Sequence, residues 1–230
     1  MYPDPRQLGH PVRTVTGGLN YPHGIAFNSH QEMIVSECGG HRVPIFDIRG
    51  QKIRTLGSYG DRPDQMIYPA SMATDDTDNI YVSSDHKLQK FTSSGELIKC
   101  IGRWGSKEGE FDAPHGVTLY DNQVYVCDRN NHRIQVFDLN LNFVRSIGSR
   151  GKGRGEFNAP LDVKFDTAGN MYVADWGNGR VQVMDTSGQL IQVFGQEGEG
   201  KLHRPSGLHI ADKYVYVSDL IGNCIVVYET

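Results

Sequence analysis

Five prolines, Pro22, Pro69, Pro114, Pro160 and Pro205, stand at steps of 47, 45, 46 and 45 residues along this 230-residue chain, each within the same local pattern. Three residues before each lies an apolar side chain (Leu19, Met66, Phe111, Phe157, Leu202), and three residues after it another (Ile25, Met72, Val117, Val163, Leu208). A fixed period of this length marks a repeat architecture, in which each unit buries its apolar face only against its neighbours.

Each unit continues with a short β-rich run that ends in an acid: Ile34-Val35-Ser36-Glu37, Val124 to Asp128, Met171 to Asp175 and Val215 to Asp219. The second unit, Ile80 to Asp85, reads one residue longer before its acid. After a polar turn comes a third run (Val43-Pro44-Ile45-Phe46, Ile134-Gln135-Val136-Phe137 and their equivalents), then an alternating segment closed by Gly, as in Leu97 to Gly102 or Leu190 to Gly195. Four β runs per unit without any helical periodicity predict an all-β fold, a β-propeller of four-stranded antiparallel blades. Five repeats imply a five-bladed ring, or a six-bladed ring lacking a blade. The last unit reaches Thr230 at the end of its third run, and Val12-Arg13-Thr14-Val15 has the alternation to supply the fourth strand and hide an open edge. Residues 1–11 read as an N-terminal tail and 12–230 as one propeller domain.

The net charge of −4 gives no global attraction to nucleic acid or an anionic membrane, so any such partner must meet a local patch. No apolar run approaches the ~20 residues of a membrane span, and Met1 to Arg6 is not a signal peptide. Cys38, Cys100, Cys127 and Cys224 occupy unrelated blade positions without a Cys-x-x-Cys pair, and read as reduced thiols of a cytoplasmic protein.

The segment Val126-Cys127-Asp128-Arg129-Asn130-Asn131-His132-Arg133-Ile134-Gln135-Val136-Phe137-Asp138 resembles an NHL repeat, with Asn131 and His132 in the consensus places and Arg133 in the third. Asp175 to Val183 matches with Gly for His, Glu37 to Val43 with Gly for Asn, and blades two and five depart further, with Asp85-His86-Lys87-Leu88 and Asn223-Cys224-Ile225. The resemblance covers residues from about 12 to 230. It implies the kind of propeller found at the C-terminus of tripartite-motif proteins, whose RING, B-box and coiled coil act as ubiquitin ligase while the propeller recruits a protein or RNA.

Strand alternation puts the d-to-a and b-to-c loops on one face, where the longer loops predict the binding surface. The acid-to-base pairs Asp128/Arg133, Asp175/Arg180 and Glu37/Arg42 keep a spacing of five, which suits an acid holding its own turn. Residues that the repeat does not explain are better candidates. Trp104 has Tyr59, Arg150 and Glu197 as counterparts, and Trp176 has Cys38, Arg129 and Leu220, so the scaffold does not require Trp at either place. The loop Ser149 to Gly155 adds Arg150, Lys152 and Arg154 near Arg129. Trp104, Trp176, Arg129, Arg150, Lys152 and Arg154 are therefore the expected partner contacts, with no catalytic residue and no cofactor. The expected ligand is a protein; RNA, stacked on Trp176, is the alternative. Propeller lyases and hydrolases place metal at the channel mouth. The residues after each repeat Pro are His23, Ala70, His115, Leu161 and Ser206, and two His fall short of the three ligands of a catalytic zinc. Neither a metal nor a small-molecule substrate is expected; His23 and His115 remain as channel-mouth residues.

Overall fold

Residues 14–15 and 18–229 are described by a computed structural model in which nineteen strands form five antiparallel sheets. Blade one is β1 (Pro22–Phe27), β2 (Met33–Glu37), β3 (Val43–Phe46) and β4 (Lys52–Leu56). Blade two is β5 (Pro69–Thr74), β6 (Ile80–Ser84), β7 (Lys87–Phe91) and β8 (Leu97–Ile101). Blade three is β9 (Pro114–Tyr120), β10 (Gln123–Asp128), β11 (Arg133–Asp138) and β12 (Phe143–Ile147). Blade four is β13 (Pro160–Phe165), β14 (Met171–Asp175), β15 (Arg180–Met184) and β16 (Leu190–Phe194). Blade five is β17 (Pro205–Ala211), β18 (Tyr214–Asp219) and β19 (Cys224–Glu229). Each sheet is a simple meander in chain order, and the innermost strands β1, β5, β9, β13 and β17 stand side by side in sequence. The fold is an all-β, five-bladed propeller, the first of the two arrangements that the repeat allows.

Each repeat Pro opens an innermost strand, where a missing N–H costs no ladder bond. In four blades the preceding residue is left-handed: Tyr21 (φ 50°), Tyr68 (φ 50°), Ala113 (φ 53°) and Ala159 (φ 56°). Such a conformation persists only where neighbours hold it. Two of these residues are held by the preceding blade, because the N–H of Tyr68 donates to His41 Nδ1 (3.1 Å) and that of Ala159 to His132 Nδ1 (3.0 Å).

The core is divided among blade junctions. Ile34, Val43 and Ile45 of blade one meet Met72, Ile80 and Val82 of blade two, and Tyr81 and Leu88 meet Val117, Val124 and Val126. Cys127, Ile134 and Val136 meet Val163, Met171 and Val173, and Tyr172, Val181 and Val183 meet Leu208, Val215 and Val217. The junction between blades five and one has no such cluster among the described residues. Ile25 is 64% exposed where its counterparts Met72, Val117, Val163 and Leu208 are at most 6% exposed. Ile225 is 68% exposed where Val43, Leu88, Ile134 and Val181 are fully buried. Two flanks built to receive a neighbouring blade thus face outward.

Of the expected closing strand, residues 12 and 13 lie outside the described residues, as does the expected tail, 1–11. Thr14 and Val15 carry no strand. Val15 borders a hollow of about 420 Å³ on blade one with Phe27, Met33 and Ile48, and the sheet of blade five has three strands with β19 at its edge.

Candidate functional site: the mouth of the propeller

The loops that carry the site are held by the repeated acid. Asp128 is fully buried at the end of β10, and its carboxylate accepts the Asp112 N–H (2.9 Å), Arg133 Nε (2.8 Å), Gln135 Nε2 (2.9 Å) and Asn131 Nδ2 (2.9 Å). Asp175 repeats this with the Asn158 N–H, Arg180 Nε, Gln182 Nε2 and Asn178 Nδ2. The bases then reach backward into the d-to-a loop. Arg133 donates to the carbonyls of Lys107 and Glu110, and Arg180 to those of Lys152, Gly153 and Glu156. These arginines are structural, as the constant spacing predicts. The His of the motif sits at the left-handed C-cap of a 3-10 turn (His132, φ 58°) and staples the next blade; Gly179 takes the same conformation at φ 62° in blade four. Burial and the nearby Arg150 push the His132 imidazole down, which keeps its Nδ1 lone pair available to Ala159.

Blade two departs from expectation. Ser84, not Asp85, takes the place of the acid opposite Pro69, and Asp85 instead forms the turn at φ 37°. Lys87 performs the task of the missing Arg by donating to the carbonyls of Asp61 and Arg62. In blade five Cys224 supplies no donor, so Asp219 is held by the backbone N–H groups of His203, Arg204 and Gly222. Burial acts to raise its pKa, but these bonds outweigh it and hold the carboxyl below the usual range.

The b-to-c turns and the starts of the inner strands converge on a cavity of about 420 Å³ at the channel mouth, bordered by His23, His115, Arg129, Trp176, Ser206 and Leu220. His23 and His115 come from non-adjacent blades, yet their rings meet edge to face at 4.9 Å. Each imidazole donates Nδ1–H to the carbonyl of the next blade, His23 to Ala70 (3.1 Å) and His115 to Leu161 (2.9 Å). Burial, reinforced by His23, pushes His115 down to about 4, so it is uncharged at neutral pH.

The candidates fall into three groups. Trp176 and Arg129 are brought together at the mouth, with the Arg129 guanidinium 5.4 Å from the indole centroid. A residue that the sequence reading did not single out, Arg204, lies over the same ring at 4.2 Å. Its position, one before the repeat Pro, is Tyr21, Tyr68, Ala113 and Ala159 elsewhere, and comparison at that place would have marked it. With guanidinium on its ring, Trp176 is less available as a stacking platform for a base. Arg150, Lys152 and Arg154 form the second group, exposed on a loop whose backbone Asn178 and Arg180 pin. Trp104 is the third. It is 70% exposed on the preceding d-to-a loop and shares no ring contact with Trp176. Among the described residues, no ion pair engages Arg129, Arg150, Lys152, Arg154 or Arg204. Among the same residues, no group of three or more His, Cys, Asp or Glu is placed to hold a metal. The four cysteines are free, and burial pushes the thiols of Cys38, Cys100 and Cys127 up.

The NHL repeat model matches residues 111–137. That span runs from the d-to-a loop through Asp128, Asn131, His132 and Arg133 to the third strand of blade three, so it contains the whole turn described above. Curated relatives include protein brain tumor of Drosophila melanogaster, 30% identical over 111 residues that cover 46% of this chain and 10% of that protein. NHL repeat-containing protein 3 of Homo sapiens is 30% identical over 141 residues, 54% of this chain and 41% of its own. A probable peptidyl-alpha-hydroxyglycine alpha-amidating lyase, pgal-1 of Caenorhabditis elegans, is 29% identical over 126 residues, 50% of this chain and 36% of its own. The matches thus span less than half the length of these relatives. Among solved structures, virginiamycin B lyase from Staphylococcus aureus superposes with a TM-score of 0.69 over 90% of this chain and 69% of that one. At 14% identity this likeness shows the propeller fold alone. No helix among the described residues is long and apolar enough to cross a membrane.

Proposed function

We propose that this chain is a non-enzymatic recognition module that binds a protein partner on the face formed by its d-to-a and b-to-c loops. The observation that carries this reading is the set of five cations without an ion pair among the described residues, Arg129, Arg150, Lys152, Arg154 and Arg204, on a loop face that also presents Trp104. In a chain of net charge −4 that concentration is local, and it selects partners with an acidic segment. Within a larger assembly of the tripartite-motif kind the module would recruit the ligase substrate. The test is capture of cellular proteins on the immobilised chain, with and without ribonuclease, against Trp104→Ala/Trp176→Ala and against Arg150→Glu/Lys152→Glu/Arg154→Glu. A ribonuclease-resistant set of proteins lost with both variants is expected. A random-sequence RNA pool retained on filters with a steep salt slope, with no protein set lost, overturns the reading in favour of RNA.

The lyase among the relatives and the His23–His115 pair at the mouth favour a second reading, a metal-dependent propeller enzyme. Stoichiometric zinc retained through dialysis, and lost in His23→Ala/His115→Ala, would establish it.

A further inference from the structure

We infer that the channel mouth is a receptor for a single carboxylate side chain, an Asp or Glu presented by an extended segment of the protein partner. This rests on the recognition reading above and names the chemistry of its centre. Arg129 from blade three and Trp176 from blade four border the cavity, and Arg204, from the loop entering blade five, lies against the Trp176 ring.

Arg129 Nε is buried and has no hydrogen-bond partner among the described residues. A buried guanidinium N–H without an acceptor costs free energy and calls for an explanation; Arg54 carries one too, but its terminal nitrogens are spent on Glu32, whereas Arg129 has no ion pair among the described residues. Four other arginines of this face are paired. Arg42, Arg133 and Arg180 each reach the acid of their own turn, and Arg103 pairs with Glu110 at 2.8 Å. Arg204 donates only a long bond to the Trp176 carbonyl, at 3.4 Å.

The carboxylates nearest the mouth are already engaged. Asp128, Asp175 and Asp219 hold their turns, while Asp162 pairs with Lys164 and accepts the Leu208 N–H. The positive potential of Arg129 and Arg204 is therefore met by no carboxylate among the described residues. The indole of Trp176 holds the two guanidinium groups, as a cation–π contact orients an arginine without using its N–H donors. Those donors remain available in a planar fork that suits a carboxylate. The rest of the wall includes Leu161, Leu220, Ser206, Ser218, His23 and the uncharged His115. A cavity of about 420 Å³ holds an acidic side chain with its flanking backbone. Arg150, Lys152 and Arg154 are exposed on the d-to-a loop that precedes blade four, on the same face, where they are available to further acids of the segment.

The probe is a pair of capped pentapeptides, Gly-Gly-Glu-Gly-Gly and Gly-Gly-Gln-Gly-Gly, with inorganic phosphate as a third arm. The readout is the indole N–H resonance of Trp176, with that of Trp104 as internal reference. The Glu peptide is expected to shift Trp176 saturably while leaving Trp104 in place, and the Gln peptide to shift neither. Arg129→Gln and Arg204→Gln should each weaken the Glu peptide by about tenfold or more, with the fold checked by the unchanged Trp104 resonance. Equal shifts from the Glu and Gln peptides, or a shift with phosphate alone, would overturn the inference. The same Arg129→Gln/Arg204→Gln variant in the capture experiment separates the two claims. If the protein set is still captured, and is lost only with the Arg150/Lys152/Arg154 variant, recognition on this face stands and the carboxylate receptor falls.

Discussion

His115 makes the stability of this propeller depend on pH in a direction and by an amount that its surroundings fix. The imidazole is wedged between His23 and the Leu161 carbonyl, with Arg129 and Asp162 nearby, and burial, with His23 and Arg129 acting in the same direction, holds it at about 4 against an ordinary 6.5. A histidine whose folded pKa is depressed stays neutral while the unfolded chain takes up the proton. Its contribution is whole above about 6.5 and is lost as the pH falls through the window down to about 4. From about pH 7 to about pH 5 the loss is at most about 2 kcal/mol, less whatever solvent at the open mouth screens. His115→Asn is the informative variant, because the Asn amide N–H₂ stands where Nδ1–H does and can keep the bond to Leu161. Urea unfolding followed by fluorescence of Trp104 and Trp176 at the two pH values measures both chains. The wild type should lose more than His115→Asn between them, by up to about 2 kcal/mol, whatever constant offset the substitution brings. Parallel losses in the two chains would refute the placement of a neutral, buried imidazole at the mouth. The depressed carboxyls, Glu32, Asp75, Asp78 and Asp219 among them, act in the same direction but below the ordinary carboxylate range, and the substitution leaves them alike.

Ile134→Ala, at a filled junction, should cost about 2–5 kcal/mol in urea unfolding, whereas Ile225→Ala, its exposed counterpart on blade five, should stay within about 0.5 kcal/mol. Equal costs would mean that the flank of blade five is covered in solution, and a dependence on protein concentration would identify a second copy as the cover. Asp175→Ala leaves Arg180 buried without its acid and should destabilise the fold by about 3–5 kcal/mol. His132→Ala removes the acceptor of the Ala159 N–H and should cost about 1 kcal/mol, seen as faster amide exchange at Ala159.

Most of the architecture was legible because the repeat states each structural requirement several times. The Pro that opens the inner strand, the apolar residue three places on and the acid at the end of the second strand recur because each blade solves the same packing and capping problem. Their roles in the structure follow that reading closely. Where one copy lacked the usual residue, the sequence misled: in blade two the nearest acid, Asp85, looked like the anchor, but the ladder places Ser84 opposite Pro69, and the turn is held through Lys87. Strand pairing fixes register by backbone bonds, and a side chain that lies one residue out of phase cannot be recruited by identity alone.

The site was legible only in part, for a different reason. A functional residue in a repeat is a departure from the pattern, and departures at one position say nothing about which of them meet in space. Trp176 and Arg129 stood out at equivalent places on successive blades, and the structure joins them. Arg204 departs at another position of the repeat, yet the start of blade five lies beside the turn of blade four, so its guanidinium reaches the same indole. His23 and His115 share a repeat position but belong to blades one and three, and Ala70, their small counterpart on the blade between, leaves room for the rings to meet across it. The contrast with Arg133 and Arg180 decides what these departures mean. Those two arginines spend their donors on the acid of the turn and on loop carbonyls, as the pattern demands, whereas Arg129 keeps a buried Nε without an acceptor. A group that the fold neither needs nor satisfies is explained by what binds there, and at this mouth the missing acceptor is an anion.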